Sequence, residues 1–160
     1  MRSDQTQKGA KKAIAHAERQ CQSNGTKLTK KRQAVLFGLL KSKQAMTAYE
    51  LSDFCKHELG ESMPTMSVYR ILEFLESQQL VHKLKLANRF VACVHIACDH
   101  QHAAPQFLIC IDCYRVTEIS IADSTIDALR SSVDTAGYTL VSPQIELSCL
   151  CEECSAAKGS

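Results

Sequence analysis

Thr65-Met66-Ser67-Val68-Tyr69-Arg70-Ile71-Leu72-Glu73-Phe74-Leu75-Glu76-Ser77-Gln78-Gln79, followed at once by Leu80-Val81-His82-Lys83-Leu84-Lys85-Leu86, changes its apolar period within a few residues. Val68, Ile71, Leu72 and Leu75 share one face of a helix, whereas 80–86 alternates apolar with polar as an extended segment does. Ala87-Asn88-Arg89 can turn, and Phe90-Val91-Ala92 resumes the extended pattern, so a basic hairpin is predicted after the helix. Upstream, Thr47 with Glu50 three residues later forms a capping-box pattern that opens a helix over Ala48–Leu59, with Gly60 as its stop. Thr29 is a good N-cap for Lys30–Leu40, where Val35, Leu36, Leu39 and Leu40 form a stripe beside Lys30, Lys31 and Arg32. A first helix is predicted over Gln7–Gln22, with Ile14, Ala17 and Cys21 at helical spacing and Asn24-Gly25 as its end. Helices joined by short turns and followed by a basic hairpin are the order of a winged helix-turn-helix, whose last helix enters the DNA major groove. The competing reading is a helical bundle whose charges only solvate its surface.

Charge supports the first reading. The 160 residues carry a net +2, but residues 1–92 hold 16 Lys/Arg against 8 Asp/Glu while residues 93–160 hold 3 against 9, so the halves balance at +8 and −6. A basic half suits a polyanion partner. Cysteine divides the other way, with Cys21 and Cys55 in the first half and seven in the second. Two domains are therefore expected, 1–90 for DNA and 91–160 for metal, with an α+β fold overall. Apolar runs such as 35–40 fall far short of the roughly 18 residues that span a bilayer. Met1-Arg2-Ser3-Asp4-Gln5 has no apolar stretch behind it, which predicts a cytoplasmic chain with no membrane partner. In a reducing compartment nine cysteines argue for metal before disulfides.

Cys110-Ile111-Asp112-Cys113 and Cys151-Glu152-Glu153-Cys154 are two C-x-x-C pairs in the acidic half. Each lets two thiolates from one tight turn share a tetrahedral ion, and together they complete a structural zinc site. Local disulfides or a thioredoxin-like redox motif are the rivals, although the latter would need a C-x-x-C opening a helix in a βαβ unit. Cys149 sits at an odd offset and reads as a spare thiol. Between the pairs, an extended segment is expected over Val116–Ile121, a helix over Ala122–Ala136 stopped by Gly137, and a strand over Tyr138–Leu147. A second donor group, His82, Cys93, His95, Cys98, Asp99, His100, His102 and Glu118, mixes imidazole, thiolate and carboxylate. An ion held from both sides of a hinge would fix one domain against the other, which is the coupling a sensor requires.

The chain resembles the ferric uptake regulator family, and within it the zinc-responsive branch. The residues that carry the resemblance are Leu28-Thr29-x-x-Arg32-x-x-Val35-Leu36, Ala48-Tyr49-Glu50-Leu51, Ser67-Val68-Tyr69-Arg70-x-Leu72-x-Phe74-Leu75, Val81-His82-Lys83, Phe107-Leu108-Ile109-Cys110-x-x-Cys113 and Cys151-x-x-Cys154. It implies a homodimeric, metal-dependent repressor with an N-terminal winged helix and a C-terminal α/β dimerisation domain. By position, Cys110, Cys113, Cys151 and Cys154 look like the structural zinc ligands. His82, Cys93, His102 and Glu118 resemble the regulatory set, with His100 as the alternative to His102, so about two zinc ions per chain are expected. The thiolate of Cys93 favours zinc over iron.

The resemblance also implies DNA contacts. Arg70 is expected to read a base edge, since Arg can pair bidentately with guanine. Tyr69 and Ser67 lie beside it, and Tyr49, Lys30, Arg32 and Lys83 look like backbone or neighbouring contacts. The expectation is a repressor of zinc uptake genes that is not an enzyme, takes no small-molecule substrate, and binds a palindromic operator on double-stranded DNA. Its rivals are a thiol redox or peroxide-responsive protein and a family member that senses iron or manganese.

Overall fold

The computed structural model describes the backbone of residues 2–42, 44–96 and 105–159, with side chains from residue 7 onward. Cys98, Asp99, His100 and His102 lie outside the described residues. The chain divides into two compact units, Met1–Asp99 and His100–Ser160.

In the first unit the local signals act as their chemistry dictates. Helix α1 (Arg2–Ser23) begins earlier than its apolar seam suggested, and Ala10, Ala13, Ala17 and Cys21 bury a narrow stripe of small side chains. Thr29 caps α2 (Lys30–Lys41) by accepting from the Arg32 amide at 3.4 Å. Gly38 of α2 is where the next helix crosses, since a Cβ there would stand 3.0 Å from Phe54 Cδ1 and 3.1 Å from Leu51 Cδ2. Helix α3 (Ala48–Leu59) opens with both halves of the Thr47–Glu50 capping box and ends at Gly60, whose φ of 66° is left-handed.

Helix α4 (Thr65–Ser77) buries Val68, Leu72 and Leu75. Gln79 then takes a φ of 58°, and the chain turns into β1 (Val81–Leu84) and β2 (Arg89–Ala92), an antiparallel pair with Val81 opposite Ala92. One cluster of buried side chains, running from Ala13 through Leu36, Leu51, Leu72 and Leu80 to Phe90, Cys93 and Ile96, joins the helices and the hairpin. Apolar burial of this kind is what makes the helices stable together when each alone would be marginal.

The second unit is a three-stranded sheet in the order β4-β3-β5. Its centre, β3 (Gln106–Cys110), pairs antiparallel with β4 (Val116–Ile119) and parallel with β5 (Ile145–Cys149), and α5 (Asp123–Thr135) makes the crossover. Among the described residues of this unit only Gln106, Phe107, Ile109 and Cys110 are buried. The strand expected over Tyr138–Leu147 is corrected to β5: it starts at Ile145 because that residue is the register partner of Gln106, the first residue of β3. The buried Gln106 amide pins the approach, donating to Pro143 O at 3.0 Å and accepting from Ile145 N at 2.9 Å. A short helix, α6 (Glu152–Lys158), follows and had no counterpart in the sequence reading. Its signal was present in Glu152 and Glu153 at the first turn and Lys158 at the last, which complement the helix dipole.

Candidate metal centre and nucleic-acid surface

Cys110 ends β3, and the turn that follows places Cys113 back beside it, with Tyr114 in the left-handed region at φ 56° and its amide donating to Cys110 O at 3.0 Å. Cys151 is the N-cap of α6 and Cys154 lies in its first turn. The parallel strand β5 delivers this second pair to the first, since Ile111 N donates to Cys149 O at 3.0 Å and Cys151 N donates to Cys110 Sγ at 3.4 Å. All four Sγ atoms lie within 4.8 Å of one another, and Cys113 Sγ stands 3.8 Å from Cys151 Sγ. A tetrahedron of sulfurs with metal bonds of ~2.3 Å has edges of ~3.8 Å, so the cradle fits zinc. Cys149 stays outside the group.

The thiols are not equivalent. Backbone amides of Cys113 and Cys151 hold Cys110 down to about 6, whereas hydrogen bonding from Cys151, burial and the other thiols push Cys154 up to about 12. Such unequal demands are relieved when one cation is shared by all four as thiolates, because its charge favours the deprotonated form of each. Two ion pairs bracket the cradle: Arg115 meets Glu153 at 2.8 Å and Lys158 meets Asp112 at 3.0 Å. The Arg115 guanidinium holds the Glu153 carboxyl below its usual range. Both pairs are exposed and screened by solvent, so the sulfurs, not the charges, govern this corner.

The second donor group divides between the units. His82 lies in β1 opposite Val91, and Cys93 follows β2 with its amide bonded to Leu80 O at 2.9 Å. The pleat therefore puts His82 and Cys93 on one face of the hairpin as diagonal neighbours, a Cα spacing of about 7–8 Å that two ligands of one ion can share. Cys93 is buried and His82 Nε2 is shut off from solvent. Glu118 belongs to β4 of the second unit, opposite Phe107, and one of its carboxylate oxygens is likewise shut off.

On the first unit, Arg70 is exposed on the second turn of α4, with Ser67 and Tyr69 half-buried beside it. Arg70 has no ion pair with Glu73 or Glu76 among the described residues, while Tyr69 leans on the core cluster. Tyr49 is 65% exposed on α3, and Lys30 is exposed at the start of α2. Arg32 has partners within the fold and is still partly exposed: its guanidinium lies 3.4 Å from the Phe74 ring centroid and donates to Lys27 O at 2.5 Å. Lys83 Nζ lies 5.9 Å from the Phe90 ring centroid in the hairpin. Met66, 66% exposed on the first turn of α4, lies on the Arg70 side of the helix, off the stripe of Val68, Leu72 and Leu75.

A winged helix preceding a small sheet that converges four thiols on one point defines a two-domain, metal-binding regulator of the DNA-binding class. The family model of the ferric uptake regulator family matches residues 23–148, and the chain belongs to that family. It is 32% identical over 141 residues to the zinc uptake regulation protein of Escherichia coli K12, spanning 88% of this chain and 80% of that one. Among solved structures it is similar to a zinc uptake regulator complexed with zinc and DNA, with a TM-score of 0.80, 27% identity and coverage of 94% of this chain and 98% of that one. It is also similar to holo XcZur, with a TM-score of 0.74, 33% identity and coverage of 92% and 99%.

Proposed function

We propose that this chain is a zinc-responsive repressor of zinc uptake genes, a cytoplasmic homodimer that binds a palindromic operator when loaded with zinc. The convergence of four thiols within 4.8 Å carries the reading, supported by the likeness to zinc uptake regulators of which one is solved with both zinc and DNA. Zinc at Cys110, Cys113, Cys151 and Cys154 supplies a cross-link between two turns in a unit that buries few side chains of its own. Dimerisation is supported by α5, which has no buried residue although Ile126, Leu129 and Val133 form an apolar stripe on it, and by the exposed Val141 and Leu147. A second copy would remove that apolar surface from water.

The regulatory ligands proposed are His82, Cys93, His102 and Glu118, with His100 the alternative to His102. His82 and Cys93 come from the hairpin of the first unit and Glu118 from the sheet of the second. On the DNA side Arg70 reads a base, Ser67, Tyr69 and Tyr49 lie along the groove, and Lys30, Arg32 and Lys83 serve the backbone. If metal loading raises operator affinity ~100-fold, the coupling is about 3 kcal/mol, within the usual range for allostery. The test compares operator affinity with and without added zinc while the four-cysteine ion stays bound. A gain with zinc that iron and manganese do not match at equal free concentration supports the reading, and equal affinities overturn it.

A further inference from the structure

Arg89 opens β2, and its side chain, only 16% exposed, turns back toward the start of α3. Its Nη1 donates to Ala45 O at 3.0 Å and to Glu50 Oε2 at 2.8 Å. The same Glu50 oxygen accepts the Thr47 amide at 2.9 Å, so the carboxylate that closes the α3 capping box is the one the hairpin arginine holds. Beside it, Met46 N donates to Phe90 O at 3.0 Å and Phe90 N donates to Met46 O at 2.8 Å. Strand β2 is therefore bonded to β1 on one edge and to Met46 on the other, and Arg89 closes the corner between them.

A two-stranded hairpin is marginal by itself and takes its position from what it packs against. A charge-assisted pair with a mostly buried arginine is stronger and more directional than a solvated one. We propose that Arg89 is a positioning residue for DNA binding: acting through Glu50, it sets the wing at a defined place beside the N-terminus of α3 and the exposed Tyr49. This rests on the reading that α3, α4 and the wing face DNA. Glu50 and Arg89 are 39 residues apart, and neither is a base- or phosphate-contacting residue in that reading.

The experiment uses the full zinc-loaded chain and a duplex that the wild type enriches from a random-sequence pool, with Arg89→Met, Glu50→Gln and the double variant. Arg89→Met is expected to weaken binding ~10-fold in the wild-type background and less than ~2-fold in the Glu50→Gln background, with an unchanged slope of log affinity against log salt. Amide hydrogen exchange at Met46 and Phe90 is expected to speed up in both single variants. Equal losses in both backgrounds, with the salt slope reduced by about one, would make Arg89 a direct phosphate contact and overturn the proposal. So would an Arg89→Met chain that binds as the wild type does. If the wild type enriches no duplex, the DNA-binding reading falls and this role with it; additive losses in a chain that binds overturn this role alone.

Discussion

The amide of Cys151 donates to the sulfur of Cys110 at 3.4 Å, so the second C-x-x-C pair reaches the first through a backbone hydrogen bond as well as through any shared ion. Residues 41 apart are brought to that distance by the parallel pairing of β5 on β3. Losing one ligand should thus remove the ion and leave the sheet's register in place.

Cys113→Ser or Cys154→Ser is expected to lower bound zinc by about one equivalent per chain and to lower the melting temperature, because structural zinc contributes folding free energy directly. Cys149→Ser should change neither. Zinc counted by elemental analysis beside a thermal melt checks this, and full zinc in Cys113→Ser would remove that residue from the ligand set.

Acid should act through Cys110. Its thiol is held near 6 in the folded chain against an ordinary value of 9.0, so its stabilising contribution is complete above 9.0 and is lost as pH falls through about 6. Above about 6 it meets zinc as a thiolate and releases no proton; below that it must release one. Chelator competition from about pH 5 to 8 should therefore show the plot of log affinity against pH steepening by about one proton on the acid side. A slope that stays constant through pH 6 would contradict the assignment.

Arg70→Ala should cost ~1–3 kcal/mol of discrimination at one operator position, while Lys30→Ala should weaken binding about equally on all sequences and reduce the salt slope by about one. Affinities on an operator and its single-base variants, measured at several salt concentrations, separate the two. Uniform loss for Arg70→Ala would make it a backbone contact.

Arg32→Ala should destabilise the first unit by ~1–2 kcal/mol, since it removes both the guanidinium on the Phe74 ring and a bond to Lys27 O. Denaturant unfolding with Phe74→Leu as a second variant tests this: the two losses should be less than additive. Full additivity would mean that the stacking contributes little.

His102→Ala is expected to remove the second zinc and zinc-dependent DNA binding while the four-cysteine ion remains, and His100→Ala to leave both. The reverse result would pass the ligand role to His100.

Caps and ligand pairs were legible because their chemistry closes over three residues: Thr29 with Arg32, Thr47 with Glu50, Cys110 with Cys113 and Cys151 with Cys154 can each be read without knowing what lies elsewhere. Apolar periodicity likewise located α2, α3, α4 and the hairpin, because burying one stripe is a requirement the chain carries locally. The extent of β5 was not legible, since Tyr138–Gln144 carries Tyr138, Leu140 and Val141 but finds no register partner in β3, which starts at Gln106 opposite Ile145.

Arg32 over Phe74, Arg89 on Glu50 and Gln106 on Ile145 pair residues 39 to 42 positions apart, and nothing near any of them in the chain singles out its partner. Short-range hydrogen bonds and side-chain period thus set the elements and the two thiol turns, because each is decided by a handful of neighbouring dihedrals. Which arginine finds a partner inside the fold and which stays exposed was settled only when the helices and strands packed, because a guanidinium goes to whichever ring, carbonyl or carboxylate the packing places within reach.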